Sequence, residues 1–339
     1  MRFRSGRARV AVLVLALVAV LLVPAPRAAE GRSRLRIGLV FQSTDVTGAY
    51  QQGAFAGLRR AVKELGVEAK TVVPGPGPND YVPSFSYLAR QRYDLIIALG
   101  FLEARDLDTV ARRFPDQTFA LIDSSQKDLK HHPKNVRGAV FRTEQAAYLA
   151  GYLATLMEHR RPGKDVISAV GGYAIPTVDA YIAGYRAGAR RADPRISTMV
   201  AYSHDFLDPE KCKAVAFGQI ARGSGAVFNV AGGCGLGALA AAKEKHVWGI
   251  GVDTDQSSLG PHILTSVVKR LDVAVFDTVQ AFQEGRFRTP GDTIFELRGK
   301  GVGLGKVSPR VPRAYLRVLE RIRAEIVAGT IRVPSTPRR

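Results

Sequence analysis

The chain has 339 residues, a formal charge of +19 and two cysteines. This length accommodates two domains of roughly 100 to 200 residues, each with a well-buried core. Two cysteines exclude a disulfide scaffold, six histidines without ligand spacing predict no metal site, and basic residues without interleaved aromatics indicate a solvated surface rather than a nucleic-acid site.

The N-terminus has the pattern of an export signal. Four arginines precede the apolar run from Val10 to Val23, and PAPRAAEG follows it. We therefore predict a signal peptide over residues 1–29, cleaved near Ala29. The apolar run is shorter than the roughly 20 residues of a membrane span. Because no cysteine precedes Cys212, we expect no lipid anchor and a soluble periplasmic or otherwise extracytoplasmic protein. Removing the five arginines of this segment, which contains no acid, lowers the charge from +19 to +14.

From Arg36 onward, short runs rich in Val and Ile alternate with longer amphipathic runs, as in βαβ units around parallel sheets. A helix is predicted over residues 144–158, and another begins at Pro176, where apolar residues recur at helical spacing. Aromatic residues of this second helix, such as Tyr181, are assigned to the core. The predicted strands are Arg36–Phe41, Lys70–Val73, Tyr93–Leu99, Thr118–Ile122, Arg137–Phe141, Val166–Val170, Thr198–Tyr202, Ala226–Val230, Val247–Val252 and Ile263–Val268.

Ten strands exceed a comfortable single sheet, so we predict two similar α/β lobes that divide near Val140. Ligands of such folds lie outside the carboxyl ends of the strands. The residues that immediately follow each strand are therefore the candidate site residues.

The stretch GIGVDTDQSSLG places Asp253, Asp255 and Gln256 directly after a strand. Alternate residues of an extended segment point to opposite sides, which disfavours Asp253 and Asp255 as an acid/base pair. A carboxylate can instead accept hydrogen bonds from vicinal sugar hydroxyls. Lys269 ends the next strand, so it forms either a polar clamp with Asp253 or an ordinary ion pair.

The stretch VFNVAGGCGLGALAAA runs from a strand through a glycine-rich turn into a helix. Its glycines either let the backbone approach a ligand or only make a tight turn. Neither a dinucleotide fingerprint nor a phosphate-binding GxxxxGK[ST] motif is present, so no nucleotide cofactor is predicted. Cys212 and Cys234 each lie near the start of a predicted helix. They either form a disulfide with each other or remain as two buried free thiols.

Several long stretches, in order, carry a family resemblance: IIALGFLEA, RRFPDQTFALIDSS, NVRGAVFRTEQAAYLAGYLA, AVGGYAIPTVDAYIAGYRAGARRADP, VFNVAGGCGLGALAAAKE and GIGVDTDQSSLGPHILTSVVKRLDVAVFDTV. Over residues 36–334 the chain resembles the basic membrane protein (BMP) family of ABC-transporter substrate-binding proteins. The resemblance implies a type I periplasmic-binding fold of two Rossmann-like lobes joined by a hinge, and a purine-nucleoside receptor rather than an enzyme. The expected boundaries are 30–140 for the first lobe with a return over about 263–300, 141–262 for the second lobe with a C-terminal helix over about 311–330, and a basic tail at 331–339.

The resemblance also implies roles for single residues. Asp253 resembles the ribose-binding acid, Lys269 the lysine that closes on the ligand, and Asp123 the ligand-facing acid of the first lobe. Phe206 resembles the aromatic that stacks on the base, beside backbone contacts at Gly232 and Gly233.

The family segment close to DDKSFNQ is STDVTGAYQQ here. Tyr50 and Gln51 stand for its Phe and Asn, while Val46, Thr47 and Gly48 replace its acids and leave Asp45 as the nearby carboxylate.

These observations predict an exported, monomeric solute-binding protein that carries a nucleoside or related ribose-bearing compound to an ABC permease. Two alternatives are a periplasmic sensory subunit for another small polar ligand and a nucleoside-processing hydrolase.

Overall fold

The computed structural model describes residues 34–43, 46, 48–75, 80–163 and 165–337. The predicted signal peptide and Asp45 therefore lie outside the described residues. The strands are β1 (Arg36–Val40), β2 (Glu68–Val72), β3 (Leu95–Leu99), β4 (Thr118–Ile122), β5 (Val136–Phe141), β6 (Val166–Gly171), β7 (Ser197–Tyr202), β8 (Ala226–Val230), β9 (Trp248–Asp253), β10 (Ile263–Lys269), β11 (Gly291–Phe295) and β12 (Val302–Leu304). The α-helices are α1 (Ala49–Leu65), α2 (Val82–Arg90), α3 (Phe101–Arg113), α4 (Thr143–Glu158), α5 (Pro176–Ala192), α6 (Pro209–Ala221), α7 (Gly235–Glu244), α8 (Leu271–Gln283) and α9 (Arg313–Val327).

The strands form two six-stranded sheets, which define the two lobes. The first sheet has the order β11-β5-β4-β3-β1-β2, and the second has the order β12-β10-β9-β8-β6-β7. Neighbouring strands are parallel except for β10 and β12, which are antiparallel. Position by position, β4 of the first sheet corresponds to β9 of the second, and β5 corresponds to β10. The predicted architecture of two α/β lobes with parallel sheets is confirmed.

All ten predicted strands are present with small shifts at their ends, and so are the predicted helices α4 and α5. Strands β11 and β12 were not predicted from the sequence. β12 has three residues, and two of the five residues of β11 are exposed, so neither shows the long apolar run of an internal strand. Both lie at a sheet edge, where one partner strand suffices.

The chain returns to the first lobe later than predicted. The expected return began at about residue 263, but β10 lies in the second sheet, where it pairs with β9. Six of its seven residues are buried, so its apolar run belongs to that core. The return starts with α8, which packs on α1, and continues with β11, which pairs with β5.

Helices α4 and α5 pack with their backbones in direct contact. A Cβ at Gly184 would collide with the carbonyl oxygen of Glu144, and a Cβ at Gly188 with that of Tyr148. Tyr185 of α5 is fully buried, with its ring 5.1 Å from that of Phe228 on β8. This packing fixes the start of α5 over the carboxyl ends of the second sheet. Within the described ranges, no helix is long and apolar enough to cross a membrane.

Candidate functional site

Three charged side chains from the two lobes meet between the sheets. Asp123 directly follows β4 of the first lobe, while Asp253 and Lys269 end β9 and β10 of the second. The Lys269 Nζ atom lies 2.7 Å from Asp123 Oδ2 and 3.3 Å from Asp253 Oδ1. Relative exposures of 6%, 7% and 5% remove all three residues from bulk water. A single ammonium group thus joins one carboxylate from each lobe.

A tyrosine supports each carboxylate. The hydroxyl of Tyr50, at the start of α1, donates to Asp123 Oδ2 at 3.2 Å, and the hydroxyl of Tyr181, on α5, donates to Asp253 Oδ1 at 3.1 Å. We call Tyr50, Asp123, Tyr181, Asp253 and Lys269 the inter-lobe cluster. Each lobe contributes one tyrosine and one aspartate, and the second lobe adds the lysine.

Unusual backbone conformations bring these groups together. Asp123 and Asp253 have φ values of 67° and 63°, in the left-handed region that aspartate tolerates better than most residues. Gly100, between β3 and α3, has a φ of 76°, and a Cβ there would lie 2.7 Å from the hydroxyl oxygen of Tyr50. Only glycine leaves room for the Tyr50 hydroxyl at this point.

Burial prevails in the pKa shifts of Tyr50, Tyr181 and Asp123, whereas the neighbouring charges prevail for Lys269. Burial, followed by the adjacent aspartates, raises the pKa of Tyr50 and Tyr181 well above the usual value, so both hydroxyls keep their protons and donate. Burial also raises the pKa of Asp123, although Lys269 and Tyr50 both donate to that carboxylate. For Lys269, burial alone would lower the pKa, but Asp123 and Asp253 outweigh it and raise the value. With both carboxylates ionised, the cluster carries a net charge of −1.

Asp255 and Gln256 stabilise the turn after β9 and do not join the cluster. Asp255 accepts from the backbone N–H of Ser257 at 3.1 Å and from that of Lys306 at 3.2 Å. The Gln256 side chain accepts from the backbone N–H of Val252 at 3.0 Å. Asp253 and Asp255 are therefore not a catalytic pair.

In the first lobe, the two neighbouring candidates on α1 have different positions. Tyr50 belongs to the cluster, whereas the Gln51 side chain accepts from the backbone N–H of Gln42 at 3.4 Å and donates to Ser43 Oγ at 3.3 Å. Gln51 thus braces the segment that follows β1. Asp45 lies in the same segment, outside the described residues.

A second group of candidate residues surrounds the aromatic ring of Phe206. This residue lies in the segment Ser203–Asp208 between β7 and α6, which we call the aromatic loop. The Phe206 ring packs directly over Gly172, at the end of β6, where a Cβ would collide with it, and its centroid lies 5.2 Å from that of Tyr173. The ring therefore lies at the carboxyl edge of the second sheet, the same edge that carries Asp253 and Lys269.

The four glycines that follow β8 divide into two pairs, of which Gly232 and Gly233 lie in the turn and Gly235 and Gly237 at the start of α7. A Cβ at Gly235 would collide with the Asn229 side chain, and one at Gly237 with the carbonyl oxygen of Pro209, so this pair is required by packing. Gly232 and Gly233 have no such collision, since a Cβ there would lie 3.5 and 3.3 Å from the Phe206 carbonyl oxygen. Gly232 also has a φ of 55°. This pair presents open backbone beside the aromatic loop.

The structure resolves the alternative left open for the cysteines. Cys212 and Cys234 form a disulfide with a Cα–Cα distance of 5.5 Å.

Tyr181 was not predicted as a site residue, whereas Gly100 was a candidate because it directly follows a predicted strand. The apolar stripe of α5 correctly predicts that the Tyr181 ring is buried, but the hydroxyl position depends on where β9 ends. No group of three histidine, cysteine or acidic side chains in the described part of the chain is arranged to hold a metal ion.

Two α/β lobes with charged residues from both at their junction are the architecture of the periplasmic-binding fold class. A solved structure of ABC transporter solute-binding proteins from Aeropyrum pernix is similar, with a TM-score of 0.78 and 24% identity over 89% of this chain and 93% of that one. A solute-binding protein from Conexibacter woesei gives a TM-score of 0.68 and 23% identity, over 89% and 99% of the two chains. At these identities the likeness shows the fold.

The family follows from sequence comparison. Residues 35–337 match the Bmp family, described as "ABC transporter substrate-binding protein PnrA-like". The "ABC transporter nucleoside-binding protein BmpA" of Lactococcus lactis is 29% identical, over 86% of this chain and 88% of that protein. "Basic membrane protein B" of Borrelia garinii is 30% identical, over 90% and 89%. The chain belongs to the Bmp family of ABC transporter substrate-binding proteins.

Membership settles the general role. Proteins of this class are exported, bind a small molecule outside the cytoplasm and work with a membrane permease; the chain is a solute-binding protein and not an enzyme. Similar proteins of Pyrococcus abyssi and Pyrococcus horikoshii are named uncharacterized lipoproteins. The absence of a lipid anchor from this chain stays a prediction, because its N-terminal residues lie outside the described ranges.

Proposed function

We propose that this protein binds a nucleoside, or a related ribose-bearing compound, between its two lobes and presents it to an ABC permease. The observation that carries the proposal is the meeting of Asp123 and Asp253, one from each lobe, on the ammonium group of Lys269 at 2.7 and 3.3 Å. A ligand that engages these groups contacts both lobes at once.

The chemistry of the cluster suits a sugar with vicinal hydroxyls. Each carboxylate has lone pairs for two or more donors, and the ammonium offers three donors to hydroxyl or ring oxygens. The net charge of −1 repels a phosphate group in this buried setting, since Coulomb energies grow as the effective dielectric constant falls. A neutral nucleoside is therefore favoured over a nucleotide.

The aromatic loop and the glycine turn suit a base. Stacking on an aromatic ring contributes about 1 to 3 kcal/mol per base and tolerates different bases. Phe206 offers such a ring, and Gly232 and Gly233 offer backbone groups beside it. The name of the Lactococcus lactis relative, a nucleoside-binding protein, supports the same ligand class.

Binding would also change the relation of the lobes. A ligand shifts a two-state equilibrium only by its difference in affinity for the two states. A ribose that contacts Asp123 and Asp253 together gains both contacts only when the lobes are close, so it favours the closed state. The closed form is then the one presented to the permease.

The first experiment is a thermal-shift and calorimetric panel on the chain from Glu30, with nucleosides, nucleotides, free bases and simple sugars. Specific binding raises the free energy of unfolding by about 2.7 kcal/mol at a hundredfold excess over Kd, which such assays detect. We expect shifts with nucleosides that Asp253→Asn abolishes. The matched control is Asp255→Asn, two residues away on the same turn, which should retain the shift.

Shifts with sugars alone, or with no member of the panel, would overturn the nucleoside proposal. Recovery of unchanged nucleoside from the complex would exclude hydrolysis. Light scattering at increasing protein concentration tests the proposed monomer, for which we expect a constant mass near that of one chain.

A further inference from the structure

The disulfide joins the two segments of the second lobe that form the proposed base site. Cys234 directly follows the Gly232–Gly233 pair, and Cys212 lies in the first turn of α6, which the aromatic loop enters. Both cysteines are fully buried, within a small apolar cluster that also contains Ala216, Ala231 and Ala238.

Cys234 also contacts the aromatic loop, both through its backbone and through its sulfur. Its backbone N–H donates to the carbonyl oxygen of Phe206 at 2.9 Å, and its sulfur lies 3.5 Å from Ser203 Oγ. One half of the disulfide is therefore placed between the glycine pair and the residue that carries the aromatic ring.

The aromatic loop is ordered at its other end. Asp205 accepts from the ammonium group of Lys211 at 2.7 Å and from the backbone N–H groups of Leu207 and Asp208 at 2.7 and 3.0 Å. Asp208 caps α6 by accepting from the backbone N–H of Glu210 at 3.0 Å. The loop thus has a fixed position relative to α6, and the disulfide ties that frame to the glycine pair.

Gly232 and Gly233 can be held in one conformation only by restraints on the neighbouring residues. Glycine has the largest backbone freedom of any residue and no side chain through which packing can hold it. Any freedom that remains before binding is lost on binding and weakens affinity, whereas a constraint already present in the free protein removes that cost. Burial of the sulfurs does not by itself account for a bond, because a free cysteine is also commonly buried as a small apolar residue.

We infer that the Cys212–Cys234 disulfide is a positioning element for ligand recognition, which holds the Gly232–Gly233 backbone against the Phe206 segment and so determines affinity for the base. The inference rests on the proposed nucleoside site. The sugar end of that site, at Asp253 and Lys269, is held by the inter-lobe cluster and does not depend on the disulfide.

The test compares the wild type with the double variant Cys212→Ala/Cys234→Ala, using calorimetry with a nucleoside and with free ribose. We expect the Kd of the nucleoside to rise about tenfold, the equivalent of about 1.4 kcal/mol, and the Kd of ribose to stay unchanged. The control Ala241→Gly weakens α7 in the same apolar cluster but keeps the disulfide, so it should leave the ratio of the two Kd values unchanged. Equal ratios in the double variant and the wild type would overturn the inference.

A second measurement uses only the folded wild type. Linkage requires that a disulfide which tightens binding is itself stabilised by the ligand to the same degree. Titration with dithiothreitol, followed by thiol trapping and mass spectrometry, should need about tenfold more reductant for Cys212 and Cys234 when nucleoside is saturating. An unchanged titration would contradict the positioning role.

Hydrogen exchange of the ligand-free protein separates failure of this inference from failure of the proposed function. In the double variant, we expect faster exchange in peptides that cover Ser203–Asp208 and Gly232–Cys234, and unchanged exchange around Gly100 in the first lobe. If the wild type binds no nucleoside, the proposed function fails while this comparison still tests positioning. Unchanged exchange in both peptides would overturn the inference that the disulfide positions these two segments.

Discussion

The two lobes place the same pair of residue types at the same sheet edge but complete the site differently. The first lobe contributes Tyr50 and Asp123, and the strand position that corresponds to Lys269 holds Phe141. The second lobe contributes Tyr181, Asp253 and Lys269. The half of the site in the first lobe therefore carries one negative charge, that of Asp123. The half in the second lobe is neutral, because the charges of Asp253 and Lys269 cancel.

This difference indicates that the first lobe depends on the second for its electrostatic balance. Asp123 is buried, and its cation comes from the other sheet at 2.7 Å. An unpaired buried carboxylate is costly, so contact between the lobes is favoured at this point even before a ligand is considered. Asp253, in contrast, has its cation on the neighbouring strand of its own sheet.

The largest expected effect comes from removal of the shared cation. Lys269→Met leaves Asp123 and Asp253 buried without a cation, and loss of one member of a buried ion pair costs about 3 to 5 kcal/mol. We expect urea unfolding to show a decrease of that size in the free energy of unfolding. Lys63→Met, at an exposed position of α1, should change it by less than about 0.5 kcal/mol. A similar small effect for Lys269→Met would contradict the ion bridge between the lobes.

The glycine turn of the second lobe has no equivalent in the first, where Gly100 alone connects β3 to α3. Gly237→Ala forces a methyl group onto the Pro209 carbonyl and should cost about 3 kcal/mol by overpacking. Gly233→Ala meets only a contact at 3.3 Å and should change the free energy of unfolding by about 0.5 kcal/mol, while weakening nucleoside binding. Denaturation and calorimetry of both variants test this division, and a reversed order of stability would refute it.

The tyrosines test the symmetry of the lobes directly. Tyr50→Phe and Tyr181→Phe each remove one hydrogen bond to a buried carboxylate, and we expect each to lower the free energy of unfolding by about 2 kcal/mol. The exposed Tyr173 provides the control, since Tyr173→Phe should have little effect. Clearly unequal losses for Tyr50 and Tyr181 would show that the two halves are not equivalent.

The smallest effect concerns pH. The raised pKa of Asp123 means that this carboxylate takes up a proton at a higher pH than its ordinary value of 3.8. Nucleoside affinity should therefore fall on acidification through the raised pKa, by up to about 1.4 kcal/mol per pH unit, because a protonated acid loses acceptor capacity. Calorimetry between pH 4 and 8 measures the slope, and Asp123→Asn should remove this part of it.

The corresponding effects on stability have a defined sign. Since the folded protein holds the Asp123 proton more tightly, the contribution of this group to the free energy of unfolding decreases as the pH rises from 3.8 through the raised value. The raised pKa of Lys269 acts at the other end of the scale. The contribution of Lys269 to the free energy of unfolding is fully present below pH 10.5, the ordinary pKa of lysine. It is lost as the pH rises through the raised pKa of the folded protein.

Most of the fold was predictable because its strands are buried on both faces and appear as continuous apolar runs. The edge strand β12 was not, since three residues carry no periodicity. Among the candidate site residues, Asp123, Asp253 and Lys269 were predictable because each lies at or directly after the carboxyl end of a strand, and parallel strands bring these ends to one edge. Gln51, which lies on α1 after the segment that follows β1, was also a candidate, yet its side chain turns towards Gln42 and Ser43.

The sequence by itself determined the alternation of strands and helices, the division into two lobes and the strand ends that carry charge, because hydrophobic periodicity and local turn residues encode these features. Only the tertiary structure decided which charges share a partner, that the Tyr181 hydroxyl reaches Asp253, and which glycines of one turn are needed for packing. The first two outcomes depend on contacts between residues that are 72 to 146 positions apart in the chain. The third depends on where the Asn229 side chain and the Pro209 carbonyl oxygen lie, which hydrophobic periodicity does not record.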